Sequence, residues 1–191
     1  EPNYRSRFNP YTAVGADSGV TGHTIALGLD HRWLNRSSGQ QLGRVSVGQS
    51  YRATADNNEP ESHRGHRTDF QAELTTPGAI TGRIDLSYRH QQKAIASGFA
   101  SLSYRPTGST LISLQHRYRT KERLFGQGAI APESSVSQIA LQAQIGKGFQ
   151  IRGLWGRNNR ASKEIESVLG VSYNGCCWTV DAAYRKFFDP K

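Results

Sequence analysis

Nowhere in this 191-residue chain does an apolar run reach the roughly 18 residues that a helix needs to cross a bilayer. That excludes a helical membrane anchor. It leaves a closed sheet possible, because a barrel satisfies its backbone groups internally. Methionine is absent, an initiator included, and no signal peptide is evident. The chain opens at Glu1 in a polar stretch, as a processed or excised segment would. Hydrophobic residues make up only 36%, with a mean hydropathy of −0.62. That is low for a soluble globular core. It suits a sheet in which every second residue faces lipid and the rest face a wet lumen.

Catalytic signatures are missing too. There is no G-x-S-x-G, no G-x-x-x-x-G-K-[ST] and no H-E-x-x-H. Glu164 and Glu166 fall on one strand face beside a polar stretch, where a solvated lumen face accounts for them better than an acid–base pair. His63-Arg64-Gly65-His66 is flanked by arginine and reads as a solvated loop, not a metal chelate. Gly126-Gln127-Gly128 is loop glycine. The expectation is a protein that is not an enzyme, with no cofactor and no metal.

Acidic residues are outnumbered, 15 against 24 basic, for a net charge of +9. Nucleic acid is the usual partner of so basic a chain. Here the cations do not cluster. Arg83, Arg89, Arg117, Arg119, Arg152 and Arg185 alternate through apolar runs, so a strand would place them on one face. A solvated polar face, or a wall suited to an anionic amphiphile, fits that pattern, and no nucleic-acid partner is expected.

What the chain does contain is alternation. Phe70, Ala72 and Leu74 alternate with Asp69, Gln71 and Glu73. Ile84, Leu86 and Tyr88 alternate with Arg83, Asp85 and Arg89. Ile112 and Leu114 alternate with Gln115 and Arg117, and Ile139 and Leu141 with Gln138 and Gln142. Period two over such lengths specifies strands. The runs are Thr24–Leu34, Leu42–Arg52, Thr68–Thr76, Ile80 to Arg89, Ile95–Tyr104, Thr110–Arg119, Gln138–Ile145, Phe149–Gly156, Ile165–Tyr173 and Cys176–Phe187. Tight turns such as Pro77-Gly78, Pro106-Thr107-Gly108, Gly146-Lys147-Gly148 and Asn174-Gly175 alternate with longer stretches at Thr54–Arg67, His90–Ala94, Thr120–Ser134 and Arg157–Lys163. Aromatic residues recur near strand ends: Trp33, Tyr51, Tyr88, Tyr104, Tyr118, Trp155, Tyr173, Trp178 and Tyr184.

The expected fold is all-β, an antiparallel up-and-down transmembrane β-barrel segment of about ten strands. Its organisation is a polar, extracellular loop segment at 1–21, a strand array at 22–187 forming part of a larger barrel, and a tail at 188–191. A soluble β-sandwich is the competing fold. Leu74, Leu86, Leu114, Leu141 and Val180 are expected to face lipid. Glu73, Asp85, Gln115, Gln142 and Asp181 are expected to face the lumen, with Arg83, Arg89, Arg117 and Arg152 as further candidate lumen-facing polar and basic residues. Short turns would face the periplasm and long loops the outside.

The only two cysteines are adjacent, Cys176-Cys177. Read as strand residues, their thiols diverge to opposite faces. Three readings stay open on spacing: bonds to cysteines elsewhere, a pair of buried small hydrophobes, or a strained vicinal disulfide.

The segment Val171-Ser172-Tyr173-Asn174-Gly175-Cys176-Cys177-Trp178 resembles the EYNSCCW segment near the C-terminal end of the LptD lipopolysaccharide-assembly family. Ser137–Gln144, Ile151–Asn158 and Ser167–Gly170 are similar to the strands that lead into it. Ser103-Tyr104-Arg105-Pro106-Thr107 followed by Leu114–Arg119 is like the family's SYRP…YRYR hairpin. The resemblance runs over Leu102–Phe187 and, in style, over the N-terminal half. It implies an outer-membrane barrel in a Gram-negative cell that delivers lipopolysaccharide to the outer leaflet. The partners it implies are lipopolysaccharide, outer-membrane lipids, an LptE-like plug lipoprotein and periplasmic Lpt components. It implies that Cys176 and Cys177 form disulfides to a periplasmic domain outside this chain. Against the family pattern, this sequence lacks the jellyroll domain, has fewer strands, and stops at Lys191 before the two strands that usually follow CCW, as an internal part of a barrel would. The alternative is an independent small outer-membrane porin or adhesin barrel.

Overall fold

The computed structural model describes residues 24–52, 65–77, 79–123 and 130–187. Ten strands form one antiparallel sheet in chain order: β1 (Thr24–Leu34), β2 (Gln41–Arg52), β3 (Gly65–Thr75), β4 (Ile80–Arg89), β5 (Ala94–Thr107), β6 (Thr110–Arg119), β9 (Ser134–Ile145), β10 (Phe149–Asn158), β11 (Lys163–Asn174) and β12 (Thr179–Phe187). Between β6 and β9 a separate short pair, β7 (Glu122–Arg123) and β8 (Ile130–Ala131), interrupts what reads in the sequence as one polar loop. The topology is up-and-down. β1 and β12 are the two ends of the strand order, so among the described residues the sheet is open and not closed into a barrel. The segments 1–21 and 188–191 lie outside the described residues.

The sheet contains two compact units. Among the described residues, one comprises 24–52, 65–73, 83–99, 118–123 and 130–133; the other comprises 74–77, 79–82, 100–117 and 134–187. In the first, β1 and β2 pair Leu29 with Val47 and Asp30 with Ser46. Leu27 and Leu29 are 74% and 76% exposed, whereas Ser46 is fully buried. In the second, Leu141, Gly153, Leu169 and Tyr184 form one cross-strand row. Leu141, Leu169 and Tyr184 are exposed, while Ser113 and Ser172 are buried on the opposite faces of their strands. Strands such as these send apolar residues mainly to one face and polar residues to the other, as their alternation dictates.

Burial is the reverse of a soluble protein's. Among the described residues, the buried apolar side chain is Ala96. The buried polar ones are Ser46, Arg67, Asp69, Gln71, Ser87, Arg89, Ser113 and Ser172. In water-soluble folds, Arg, Asp and Gln are mostly outside and Leu and Ile inside. Here Leu74, Leu86, Leu114, Leu141 and Val180 are all exposed.

Three expectations are corrected. The stretches His90–Ala94 and Arg157–Lys163 are not long loops; they are tight turns over 90–93 and 159–162, where Lys93 and Ser162 take φ of 48° and 51°. The long connections that remain are 53–64 and 120–133. Tyr184 lies mid-strand opposite Leu169, not at a strand end. And the last strand begins at Thr179, so the cysteines are not in it.

Candidate functional site: the polar face and the cysteine turn

Two features carry polar or reactive chemistry. The first is the polar face. On β3 and β4, His90 N–H donates to His66 O at 3.1 Å. The antiparallel register from that bond sets Asp69 opposite Ser87, Gln71 opposite Asp85 and Glu73 opposite Arg83. Arg67 Nε donates to Asp69 Oδ1 at 3.2 Å and also to Ser87 Oγ, and Ser87 in turn donates to Asp69. Gln71 Nε2 donates to Glu73 Oε1 at 2.8 Å. Arg83 Nε donates to Asp85 Oδ2 at 2.6 Å, with its Nη1 3.8 Å from Glu73. Arg89 Nη1 donates to Gln92 at 3.1 Å. Buried ions are tolerated only when paired and hydrogen-bonded in this way. Two buried acceptors, Gln71 Oε1 and Asp85 Oδ1, have no partner among the described residues. On β1 and β2, Asp30 accepts from Arg44 Nε at 2.6 Å, Arg32 Nε at 3.0 Å and Ser46 Oγ at 3.0 Å.

In the second unit the polar face is more open. Arg152 lies flat across Gly170, where a Cβ would come within 2.7 Å of its Nε. It approaches Asp181 at 3.6 Å, and Ser172 Oγ also donates to that carboxylate. Arg185 Nε donates to Glu166 at 2.6 Å and its guanidinium sits 4.1 Å above the Phe187 ring. Gln115, Arg117 and Gln142 are exposed. They alternate in phase with buried Ser113 or, for Gln142, pair directly with Arg152.

The predicted residues therefore fall on the polar faces of their own strands: Arg83 and Arg89 in the first unit, Gln115, Arg117, Gln142, Arg152 and Asp181 in the second. The structure adds the buried Ser46, Arg67, Asp69, Gln71 and Ser87, and Asp30, exposed but paired with Arg44, Arg32 and Ser46. Their phase in the alternation was the available signal; their burial was not visible there. Glu164 and Glu166 do not share a face. A register shift at Gly156/Arg157 skips Ile165, so Glu166 meets Arg185 while Glu164 accepts Trp155 Nε1–H at 3.1 Å. His66 stacks on His90, with ring centroids 4.2 Å apart and planes 17° from parallel. His63 lies outside the described residues. No group of three or more metal-ligating side chains occurs among the described residues.

The second feature is the turn joining β11 to β12. Asn174 pairs with Thr179, and Gly175 N–H donates to Trp178 O at 2.8 Å. Gly175, Cys176, Cys177 and Trp178 lie outside the ladder, and the cysteines sit at the tip of the turn. Both are exposed, free thiols, and their sulfurs lie 3.2 Å apart. The expected divergence is overturned, because turn residues do not follow the strand alternation that would separate them.

The chemistry on offer is a wall of fixed donors and acceptors on one face, an apolar surface on the other, and a pair of thiols in the turn between β11 and β12. The family model described as LptD, LPS transport system D, matches residues 2–152. The chain belongs to the LptD family. The match takes in the N-terminal half, which the sequence motifs reached only in style. Relatives titled LPS-assembly protein LptD include those of Haemophilus influenzae, 23% identical over 97% of this chain, and Histophilus somni, 22% over 98%. That of Escherichia coli K12 is 22% identical over 97%. The chain spans about a quarter of the length of these LptD relatives, 25 to 26%.

Proposed function

We propose that this sheet is part of the wall of an LptD outer-membrane barrel that delivers lipopolysaccharide to the outer leaflet, without catalysis. The observation that carries the reading is the inverted burial: exposed leucines and isoleucines on one face, covered arginine, aspartate and glutamine on the other. Such a sheet needs lipid against its apolar face. Further strands against β1 and β12 would complete the closure that lipid demands. The polar face would then line the lumen, where Arg83, Arg89, Gln115, Arg117, Gln142, Arg152 and Asp181 offer charged and amide groups to phosphate-bearing sugars. Membership of the LptD family weighs against the independent porin or adhesin.

In this reading the turns at 35–40, 76–79, 108–109, 146–148 and 175–178 lie in the periplasm. An LptE-like plug and periplasmic Lpt components are the partners. Cys176 and Cys177 bond to cysteines of a periplasmic domain outside this chain. Such long-range disulfides typically contribute about 2–4 kcal/mol.

Site-specific photo-crosslinking tests the central claim. A photoreactive residue at Gln142 or Arg152 should capture lipopolysaccharide in growing cells, and one at Leu141 should capture phospholipid acyl chains. Lipopolysaccharide captured equally from both faces, or from neither, refutes the assignment.

A further inference from the structure

Resting on the disulfide reading above, we propose that Trp178 is a positioning residue that presents the Cys176 and Cys177 thiols together for exchange with a partner disulfide. The turn is fastened on both sides. Thr179 Oγ1 donates to Asn174 Oδ1 at 2.9 Å beside the Gly175–Trp178 backbone bond. Across it lies the indole. A Cβ on Gly175 would sit 3.0 Å from both Cε2 and Nε1 of Trp178. Glycine is what lets the ring lie against the turn backbone.

The ring does not stand alone. Trp178 packs on Tyr173 with centroids 5.0 Å apart, and Tyr173 on Phe149 at 4.6 Å. The neighbouring turn makes room for these rings. Gly148 has φ +90°, and a Cβ there would meet Asn174 O at 2.7 Å and the Tyr173 ring at 3.1 Å. Glycines from two adjacent turns thus admit one cluster of three tilted rings. The indole is 57% exposed, so it is not a core residue whose burial explains its place. It braces the turn, and the braced turn holds both sulfurs exposed and 3.2 Å apart.

That geometry matters for exchange chemistry. A Cys176 or Cys177 thiolate attacks one sulfur of a partner disulfide; a new S–S bond forms and the partner's other sulfur leaves as thiolate, taking up the proton the cysteine lost. The cysteine is oxidised and the departing sulfur is reduced, so one partner disulfide supplies the oxidant for one such bond, and a bond from the second cysteine takes a second disulfide. Two thiols held side by side meet the partner in one encounter. An unbraced turn would let the segment relax toward extended backbone, where neighbouring side chains point apart.

The test uses the membrane-inserted protein, reduced and then exposed to oxidised glutathione, with mixed disulfides at Cys176 and Cys177 followed by mass spectrometry. Trp178→Ala should slow the reaction roughly tenfold, in line with the sensitivity of such steps to placement. Heat-modifiable gel mobility should stay unchanged. Trp178→Phe should recover most of the rate, and Gly175→Ala, which pushes the ring off the turn, should slow it as well. Rates within twofold of wild type for both Trp178→Ala and Gly175→Ala overturn the proposal. The glutathione assay is independent of the native partner. Isolation of the wild-type protein with no bond from either cysteine would defeat the disulfide reading and leave the positioning result standing.

Discussion

Replacing Leu141 with arginine tests the face assignment through the energy of one buried charge. Leu141 projects from the exposed apolar face of β9, directly opposite Gly153. It lies close to the middle of a strand that runs Ser134–Ile145. At about 3.4 Å per residue and a tilt of roughly 40°, it sits within about 5 Å of the midplane of a spanning strand. Arginine there should cost about 2–4 kcal/mol, a factor of roughly 30 to 1,000 in the folding equilibrium. Ile145 shares the face but lies about 10 Å further along the bilayer normal by the same geometry. Ile145→Arg should therefore cost only about 0–1 kcal/mol. Gln142→Arg, next in sequence and on the polar face beside Arg152, pays no lipid penalty. Equilibrium urea unfolding from lipid vesicles, run on all three variants, gives the three numbers. Equal costs for Leu141→Arg and Gln142→Arg, or no fall from Leu141 to Ile145, would refute both the phase and the membrane reading.

Four further outcomes follow from the same geometry. Asp69→Ala removes a carboxylate paired with Arg67 where both side chains are under 10% exposed, so it should cost about 3 kcal/mol; Asp181→Ala, opposite a half-exposed Arg152, should cost less than about 1 kcal/mol, both read by the same unfolding assay. Gly148→Ala should destabilise by about 1–3 kcal/mol, since φ +90° is compounded by a 2.7 Å approach to the Asn174 carbonyl. Gly146→Ala, at φ +63° in open space, should cost only about 1 kcal/mol, and equal effects from the two would show that the carbonyl contact is not felt.

Much of this was legible in the sequence because a strand's period is imposed by its backbone. Once Asp69, Gln71 and Glu73 alternate with Phe70, Ala72 and Leu74, the two faces are set whatever the neighbours are. Legibility fails where side chains are small or the period breaks. In Ala94–Thr107 the run of Ala, Ser and Gly residues hides a strand longer than the alternation suggests. The β-bulge at Gly156/Arg157 sends Glu164 to Trp155 and Glu166 to Arg185, which spacing in one strand does not reveal. The cysteines were assigned strand geometry because the run into Phe187 is apolar enough to be one; the turn is defined by the Gly175–Trp178 hydrogen bond, a pairing across the chain. Ion pairs such as Arg44 with Asp30 and Arg185 with Glu166 depend on cross-strand register, which no single run of residues encodes.

The exposed leucines and isoleucines also fix when this chain can fold. In water the sheet hides almost no apolar side chain; among the described residues Ala96 is the one that is buried. Collapse would therefore release little of the hydrophobic free energy that normally drives folding. The gain arrives only when the apolar face meets acyl chains. The same alternation spares the unfolded chain two hazards of secretion. With polar residues at every second position, no run in this sequence reaches the roughly 18 apolar residues that would hold it as a helix in a bilayer. And few contiguous apolar residues are offered to other chains while it waits. In the proposed membrane reading, the two-residue rhythm thus acts as a routing instruction, holding the polypeptide back from structure until it reaches the bilayer in which that structure is stable.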